Sequence, residues 1–134
     1  MREKILIIDD DRTYISQIAE ILEEEGYLIG FTTNPQVGYT MLDSAEYDLI
    51  ILDIHMPRIT GLEVLKELKS SKTTKLIPIL MSTGDSSKDS VQQAIQLGAD
   101  DYIVKPIELD LFLDKVFVLL KIRNFVKKWG VLPR

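Results

Sequence analysis

The stretch 49–52, Leu-Ile-Ile-Leu between Asp48 and Asp53, most constrains how this chain folds. So short an apolar run, bounded by polar residues, predicts a strand that is buried on both faces. Asp53 is then the first polar residue at the carboxyl end of that strand. We therefore take Asp53 as the candidate chemical centre, and expect the rest of the chain to hold it in place and to set the charge around it.

Four further short strands are predicted, at 4–8, 27–31, 76–81 and 101–104. Helical patterns fill the intervals, and the first has Ile15, Ile18, Ala19 and Leu22 at positions i, i+3, i+4 and i+7. Strands that alternate with helices predict an α/β fold, a parallel sheet covered on both faces by right-handed crossovers. The expected architecture is a flavodoxin-like, doubly wound (βα)5 domain with strand order 2-1-3-4-5.

Composition excludes several classes of protein. The 134 residues suit one domain, and a net charge of -5 argues against unspecific nucleic-acid binding. Without cysteine and with one histidine, His55, the chain has no thiolate chemistry and no multi-histidine metal site. No apolar run approaches the roughly 20 residues of a membrane span, and the first residues do not form a signal peptide. We expect a cytoplasmic protein without membrane or direct nucleic-acid contacts.

Polar residues follow four of the predicted strands where each strand ends. They are Asp9 and Asp10 after the first strand, Asp53 after the third, Ser82 and Thr83 after the fourth and Lys105 after the fifth. In the order 2-1-3-4-5 these strands are neighbours, so their ends converge on one cleft. Each motif alone is more typical of a turn or helix cap, but their joint placement predicts a site.

The charges of this cleft indicate its chemistry. Three close carboxylates cannot all stay ionised unaided. Lys105 offsets one charge, and a hard divalent cation with oxygen ligands, Mg2+ (or Mn2+), would offset the other two. A carboxylate on such an ion can act as a nucleophile toward phosphorus. Lys105 and Thr83 would then stabilise oxygens of the transferred group.

Four sequence blocks carry a family resemblance. They are Ile-Leu-Ile-Ile-Asp-Asp-Asp, Leu-Ile-Ile-Leu-Asp-Ile-His-Met-Pro with Gly61, Pro-Ile-Leu-Met-Ser-Thr-Gly, and Ala-Asp-Asp-Tyr-Ile-Val-Lys-Pro. In this order and spacing the chain resembles the receiver domain of two-component response regulators, the CheY-like family, over residues 3–122.

The resemblance implies a role for each cleft residue. Asp53 would accept a phosphoryl group from a sensor histidine kinase or phosphotransfer protein. Mg2+ would be held by Asp9, Asp10, Asp53 and the backbone carbonyl of His55. The side chains of His55 and Asp85 would rim the cleft.

The resemblance also implies a switch. Thr83 would move inward to the phosphoryl group, Lys105 would contact its oxygens or Asp53, and Tyr102 would swing inward with Thr83. The alternative for Tyr102 is a half-buried tyrosine at the sheet edge. Lys105-Pro106 would be a cis peptide, the kind of bond that tolerates this isomer. Gly61 is a structural position after the Asp53 strand.

The last helix presents two apolar faces when its residues are placed at about 100° intervals. The face predicted to lie on the sheet has Leu109, Phe112, Leu113, Val116 and Leu120. The opposite face has Leu111, Val118, Ile122, Phe125 and Trp129 at heptad-like intervals. We interpret this second face as a surface for a homodimer or a downstream domain, the alternative being scattered surface residues.

Residues 1–122 would form the receiver domain, and 123–134 a helix extension and the start of a linker. The chain is either a stand-alone receiver or part of a larger regulator. The favoured function is a phosphorylation-controlled switch, not an enzyme. One alternative is a Mg2+-dependent aspartyl-phosphate phosphatase of the haloacid dehalogenase kind, with Asp9 and Asp11 as its Asp-x-Asp pair. The other is a phosphate-independent, receiver-like scaffold.

Overall fold

Strands and helices alternate five times in the computed structural model, which describes residues 2–84 and 88–133. The strands are β1 (Lys4–Ile8), β2 (Leu28–Thr32), β3 (Leu49–Asp53), β4 (Ile79–Thr83) and β5 (Asp101–Val104). The helices are α1 (Arg12–Glu24), α2 (Pro35–Ser44), α3 (Gly61–Ser70), α4 (Lys88–Gln96) and α5 (Leu109–Trp129). β4 starts three residues later than predicted and includes Ser82 and Thr83, because the ladders to β3 and β5 continue that far.

The five strands form one parallel sheet in the order β2-β1-β3-β4-β5. This confirms the flavodoxin-like (βα)5 prediction, with helices on both faces. The register pairs Ile8 with Leu52 and Asp53 with Ser82, so the carboxyl ends of β1, β3 and β4 are level. No helix in the described ranges is long and apolar enough to cross a membrane.

Two hydrophobic clusters hold the helices against the sheet. On one face, alternate strand residues such as Ile7, Ile51 and Leu80 pack with α1 and α5. On the other face, Ile8, Leu52 and their equivalents pack with residues of α3 and α4. Burial of a side chain of this size contributes about 1.5–3 kcal/mol to the stability of the fold. Because β3 is buried on both faces, its apolar run is unbroken.

Short side chains fix where the helices begin after the strands. The Asp11 carboxylate accepts hydrogen bonds from the backbone N–H groups of Thr13 and Tyr14, so it caps α1 three residues after β1 ends. Asn34 and Thr60 cap α2 and α3 in the same way. The starts of α1, α2 and α3 are therefore fixed relative to the carboxyl edge of the sheet.

Helix α5 lies on the sheet through Phe112, Val116, Leu119 and Leu120, which are buried. The prediction that Leu109 faces the sheet is wrong, because the first helical residue precedes the contact and is 49% exposed. The placement of Ile122 on the outer face is also wrong. Ile122 is partly buried against the core, since Leu119 and Val126 on its own side of the helix are both buried.

The last turns of α5 are tied to the opposite, amino end of the sheet by Asp48. The buried Asp48 carboxylate accepts a hydrogen bond from the Lys4 backbone N–H at 2.8 Å and one from Lys127 Nζ at 2.9 Å. Arg123 lies 3.9 Å from the same carboxylate and 3.6 Å from Glu46. Residues beyond 122 thus pack on the body of the domain.

Substitution of Asp48 by Ala should destabilise the fold by about 2 kcal/mol, because it removes the acceptor of one backbone N–H and the partner of two cations. Urea unfolding measures this change, and trypsin should cut faster at Lys127 and Lys128 once the helix end is released. Glu46→Gln is the matched control, since the Glu46 side chain is 66% exposed and its ion pairs contribute little. Equal stability of the Asp48→Ala variant and the parent protein would contradict the role assigned to Asp48.

Candidate functional site

Three carboxylates meet where β1 and β3 end. Asp9 follows β1 and is 1% exposed, Asp53 is the last residue of β3 and is 4% exposed, and Asp10 is exposed. One oxygen of each lies within 4.8 Å of one oxygen of the other two. β1 and β3 are neighbours, so the sheet itself brings these residues together, as the sequence predicted.

Backbone donors orient the two buried carboxylates. Asp9 Oδ1 accepts a hydrogen bond from the Asp11 N–H at 2.9 Å. Asp53 Oδ1 accepts a longer one, 3.4 Å, from the N–H of His55. The chain therefore turns around each carboxylate directly after its strand. His55 itself is exposed at the rim.

Lys105 brings a positive charge from the loop after β5. Its Nζ donates a hydrogen bond to Asp9 Oδ2 at 2.8 Å and lies 3.5 Å from Asp53 Oδ1. The backbone N–H of Lys105 donates to the Thr83 carbonyl at 2.7 Å, which ties this loop to the end of β4. The Lys105-Pro106 peptide bond is cis.

The two buried carboxylates, Asp9 and Asp53, have raised pKa values. Burial, the Asp9 charge and contact with Asp10 raise the pKa of Asp53 to about 7, although Lys105 opposes this shift. Burial also raises the pKa of Asp9, against the hydrogen bonds from Lys105 and Asp11. Burial lowers the pKa of Lys105, but its hydrogen bond to Asp9 and the nearby carboxylates outweigh burial, so the net shift is upward.

The donor set fits a hard divalent cation. Its three closest groups are carboxylates, whose combined charge one lysine does not neutralise, and the described cluster has no sulfur ligand. Oxygen ligands that leave room for water suit Mg2+. Burial is the largest cause of the raised pKa of Asp53, and the negative charges of Asp9 and Asp10 add to it, while Lys105 opposes them.

Thr83 and Tyr102 lie on the neighbouring strands. Thr83 is the buried last residue of β4 and pairs with Val104 in the register of β4 and β5. Tyr102 is half-buried on the edge strand β5. Lys115 Nζ lies 4.8 Å from the Tyr102 ring centroid and donates to the Tyr102 carbonyl at 2.7 Å. Asp85 is outside the described residues, as are Ser86 and Ser87.

Gly61 lies against the backbone of the site. A Cβ atom at this position would overlap the carbonyl oxygen of Asp53 and the Cα of Ile54. The N–H of Gly61 donates to the Ile54 carbonyl at 2.7 Å. α3 can therefore begin directly beside Asp53 only if its first residue has no side chain.

The sequence reasoning missed Tyr14, the last component of the site. Tyr14 is 6% exposed, and its hydroxyl shares a 2.6 Å hydrogen bond with the buried Ser82 hydroxyl. Lys105 Nζ lies 4.3 Å from the Tyr14 ring centroid. The sequence does place a tyrosine on the inward face of α1, one residue before Ile15. An aromatic residue at such a position is, however, equally typical of an ordinary hydrophobic core.

A flavodoxin-like domain with three carboxylates and a lysine at its carboxyl edge has the arrangement of a receiver-type signalling module rather than that of a classical enzyme. Residues 5–117 match the family model of the response regulator receiver domain. The chain belongs to this family, which confirms the resemblance seen in the four sequence blocks. Its acidic pocket at Asp9, Asp10 and Asp53 is typical of receiver domains.

Two curated relatives are transcriptional regulators. The probable transcriptional regulatory protein SilR of Salmonella typhimurium is 36% identical over 121 residues, covering 90% of this chain and 52% of SilR. The transcriptional regulatory protein CusR of Escherichia coli K12 is 34% identical over 118 residues, covering 88% of this chain and 51% of CusR. This chain thus spans about half the length of these relatives.

Solved structures share the fold over the whole domain. A two-component response regulator from Clostridium difficile superposes with a TM-score of 0.85 at 32% identity, covering 92% of this chain and 99% of that one. A CheY-like receiver domain protein from Methanospirillum hungatei gives a TM-score of 0.85 at 27% identity, covering 92% and 98%. The receiver fold therefore accounts for nearly all of the chain.

Proposed function

We propose that Asp53 accepts a phosphoryl group from a histidine kinase or a phosphotransfer protein, with a divalent cation, Mg2+ or Mn2+, bound beside it. The observation that supports this most directly is the cluster of Asp9, Asp10 and Asp53 within 4.8 Å, next to the Lys105 ammonium. Asp9 and Asp10 would hold the cation together with Asp53 and the backbone carbonyl of His55. The cation would offset negative charge on the transferring group.

The reaction forms a bond between an Asp53 carboxylate oxygen and phosphorus and breaks the phosphorus–nitrogen bond of a phosphohistidine. Lys105 already lies 3.5 Å from Asp53, so its ammonium is placed to neutralise the oxygens of the incoming group. The Thr83 hydroxyl would donate a hydrogen bond to one of those oxygens. The loop around Asp53 stays tight because Gly61 leaves room for it.

Phosphorylation would change a surface some distance away. Thr83 ends β4, Tyr102 lies on the adjacent β5, and α5 follows β5 in the chain. Movement of Thr83 toward the phosphoryl group would make space for Tyr102 to turn inward. Such a change shifts the populations of two states and leaves the fold intact.

The phosphatase alternative requires Asp11 as a catalytic acid, and the structure gives Asp11 a different role. Asp11 would be the acid of the Asp-x-Asp pair, but its carboxylate caps α1 through two backbone N–H groups. The family match also assigns the chain to signalling modules rather than classical enzymes. A phosphate-independent scaffold remains the alternative that an experiment must separate from the switch.

The test is the intact mass of the protein after incubation with acetyl phosphate and Mg2+. We expect one phosphoryl adduct on the parent protein, none on Asp53→Asn and none when EDTA replaces Mg2+. An unmodified parent protein would overturn the proposal and favour the scaffold. Rapid turnover of unrelated phosphomonoesters would favour the phosphatase.

The outer face of α5 would be the surface that receives the signal. Leu111, Val118 and Trp129 are 47%, 53% and 60% exposed. The Phe125 ring lies beside the Trp129 ring at a tilt of 48°, with ring centroids 6.3 Å apart. Exposed apolar side chains at intervals of seven and four residues can pack against a second helix that has the same apolar spacing. We therefore propose that a second copy of the chain docks on this face. We also propose that residues 1–122 form the receiver domain and that residues 123–134 extend its last helix and begin a linker.

The Trp129→Glu variant should prevent this association, because it places a charge in the apolar face. Sedimentation velocity of the phosphorylated protein should show a dimer for the parent and a monomer for the variant. Phe31→Glu is the matched control, an equally exposed aromatic residue on the edge strand β2, and should leave the dimer intact. If the parent protein is a monomer with and without phosphorylation, the dimer is wrong, and a contact with a downstream domain remains.

A further inference from the structure

We propose that Tyr14 is a positioning residue for the phosphoryl-transfer site, whose ring holds the Lys105 ammonium beside Asp9 and Asp53 and whose hydroxyl is fixed by Ser82. This role rests on the proposed function of Asp53. Its geometry, however, can be tested without phosphorylation. Tyr14 touches no reacting atom and acts through Lys105.

Three groups of the described residues lie close to the Lys105 ammonium. Its Nζ lies 2.8 Å from Asp9, 3.5 Å from Asp53 and 4.3 Å from the centroid of the Tyr14 ring. The side chain is only 20% exposed, so the ring takes the place that water would occupy on an open lysine. Cations are attracted to the electron-rich face of an aromatic ring, most strongly when both are partly removed from water.

This arrangement suits a lysine that serves two carboxylates. A ring face attracts a cation over its whole area and imposes no single hydrogen-bond direction. The ammonium can therefore move between Asp9 and Asp53 while it keeps contact with Tyr14. An acceptor group in place of the ring would fix Lys105 at one point.

The hydroxyl of Tyr14 fixes the position of the ring relative to the Lys105 ammonium. It shares a 2.6 Å hydrogen bond with Ser82, which is fully buried and pairs with Asp53 in the register of β3 and β4. The Ser82 carbonyl also accepts a hydrogen bond from the Ile54 N–H at 3.2 Å. Tyr14 is thus anchored to β4, the strand that pairs with Asp53 and ends at Thr83.

The geometric test is the NMR chemical shift of the Lys105 Hε protons, assigned by their loss in Lys105→Arg. A ring at this distance shifts them upfield. We expect the full upfield shift in the parent protein, a smaller one in Tyr14→Phe, whose ring has lost its hydrogen bond to Ser82, and no shift in Tyr14→Leu. An unchanged Lys105 signal in Tyr14→Leu would overturn the proposal, whatever the phosphorylation results are.

The functional test is the rate of phosphorylation by acetyl phosphate. Loss of a partly desolvated cation–π contact should slow Tyr14→Leu by about tenfold, and Tyr14→Phe should retain most of the parent rate. In a Lys105→Met background, Tyr14→Leu should cause no further loss, because the residue acts through the lysine. Independent, multiplicative losses in the two variants would show that Tyr14 supports the core only.

Ile18→Ala is the matched structural control, since Ile18 is a buried apolar residue of the same helix, four positions after Tyr14. It should lower stability but leave the rate within about twofold of the parent. A tenfold rate loss in this control would overturn the assignment to Tyr14. If no variant and no parent protein is phosphorylated, the proposed function fails, while the Lys105 shift still decides the position of the ring.

Discussion

The Asp53→Asn variant should be more stable than the parent protein by about 1–3 kcal/mol at pH 8 in the absence of divalent cations. The physical reason is the burial of an ionised carboxylate beside Asp9 and Asp10, with Lys105 as its cationic partner among the described residues, 3.5 Å away. Asparagine has nearly the same shape and carries no charge. Urea unfolding at several pH values measures the difference.

The sign of the pH dependence follows from the pKa of Asp53. It is about 7 in the folded protein against 3.8 for an ordinary aspartate, so the folded state binds the proton more tightly. Unfolding at intermediate pH then releases a proton. The stability contributed by Asp53 is therefore present at low pH and lost as the pH rises from about 4 to about 7. Relative to Asp53→Asn, the parent should lose stability across this window and show a constant deficit above it.

A divalent cation should reverse this deficit, because it supplies the missing positive charge. At a concentration one hundred times the dissociation constant, Mg2+ should add about 2.7 kcal/mol to the parent and less to Asp53→Asn, which lacks one ligand. Asp43→Asn, an exposed position on α2, is the control and should change stability by less than about 0.5 kcal/mol. A parent protein that gains nothing from Mg2+ and is as stable as Asp53→Asn would contradict the charge deficit.

The Gly61→Ala variant should lose about 2–4 kcal/mol of stability, the second large effect. The new methyl group would overlap backbone atoms of Asp53 and Ile54, which cannot rotate away as a side chain could. Either α3 or the Asp53 loop must shift, so phosphorylation by acetyl phosphate should also slow. Thermal unfolding and the phosphorylation rate are the two measurements.

Gly84→Ala is the matched control for this prediction. Gly84 follows β4 at the same edge of the sheet, but a Cβ there meets no atom of the described residues within 4 Å. Its substitution should leave stability within about 0.5 kcal/mol of the parent. If Gly61→Ala behaves like Gly84→Ala, the backbone of the site is more tolerant than its packing indicates.

The sequence was sufficient to predict the fold and the charged residues of the site. The apolar run before Asp53 and the change from strand to helix periodicity predicted a parallel sheet. The order of such a sheet then placed Asp9, Asp53 and Lys105 together. These predictions succeed because they depend on strand ends, which the topology aligns whatever the side-chain details are.

Side-chain packing was less accessible to sequence reasoning. A helical wheel assigned Ile122 to the outer face of α5, but the buried neighbours Leu119 and Val126 draw it against the core. The same wheel placed Leu109 inward although the helix meets the sheet only from Phe112 onward. Tyr14 was missed because a tyrosine on an inward helix face is chemically ambiguous until its contacts with Ser82 and Lys105 are seen.

Borohydride reduction tests most directly whether Asp53 itself forms the acyl phosphate. Reduction converts an aspartyl phosphate into homoserine, which peptide mass spectrometry locates. After incubation with acetyl phosphate and Mg2+, we predict homoserine at position 53 and aspartate at positions 9 and 10. Homoserine at position 9 or 10, or at no position in a protein that binds Mg2+, would contradict the claim.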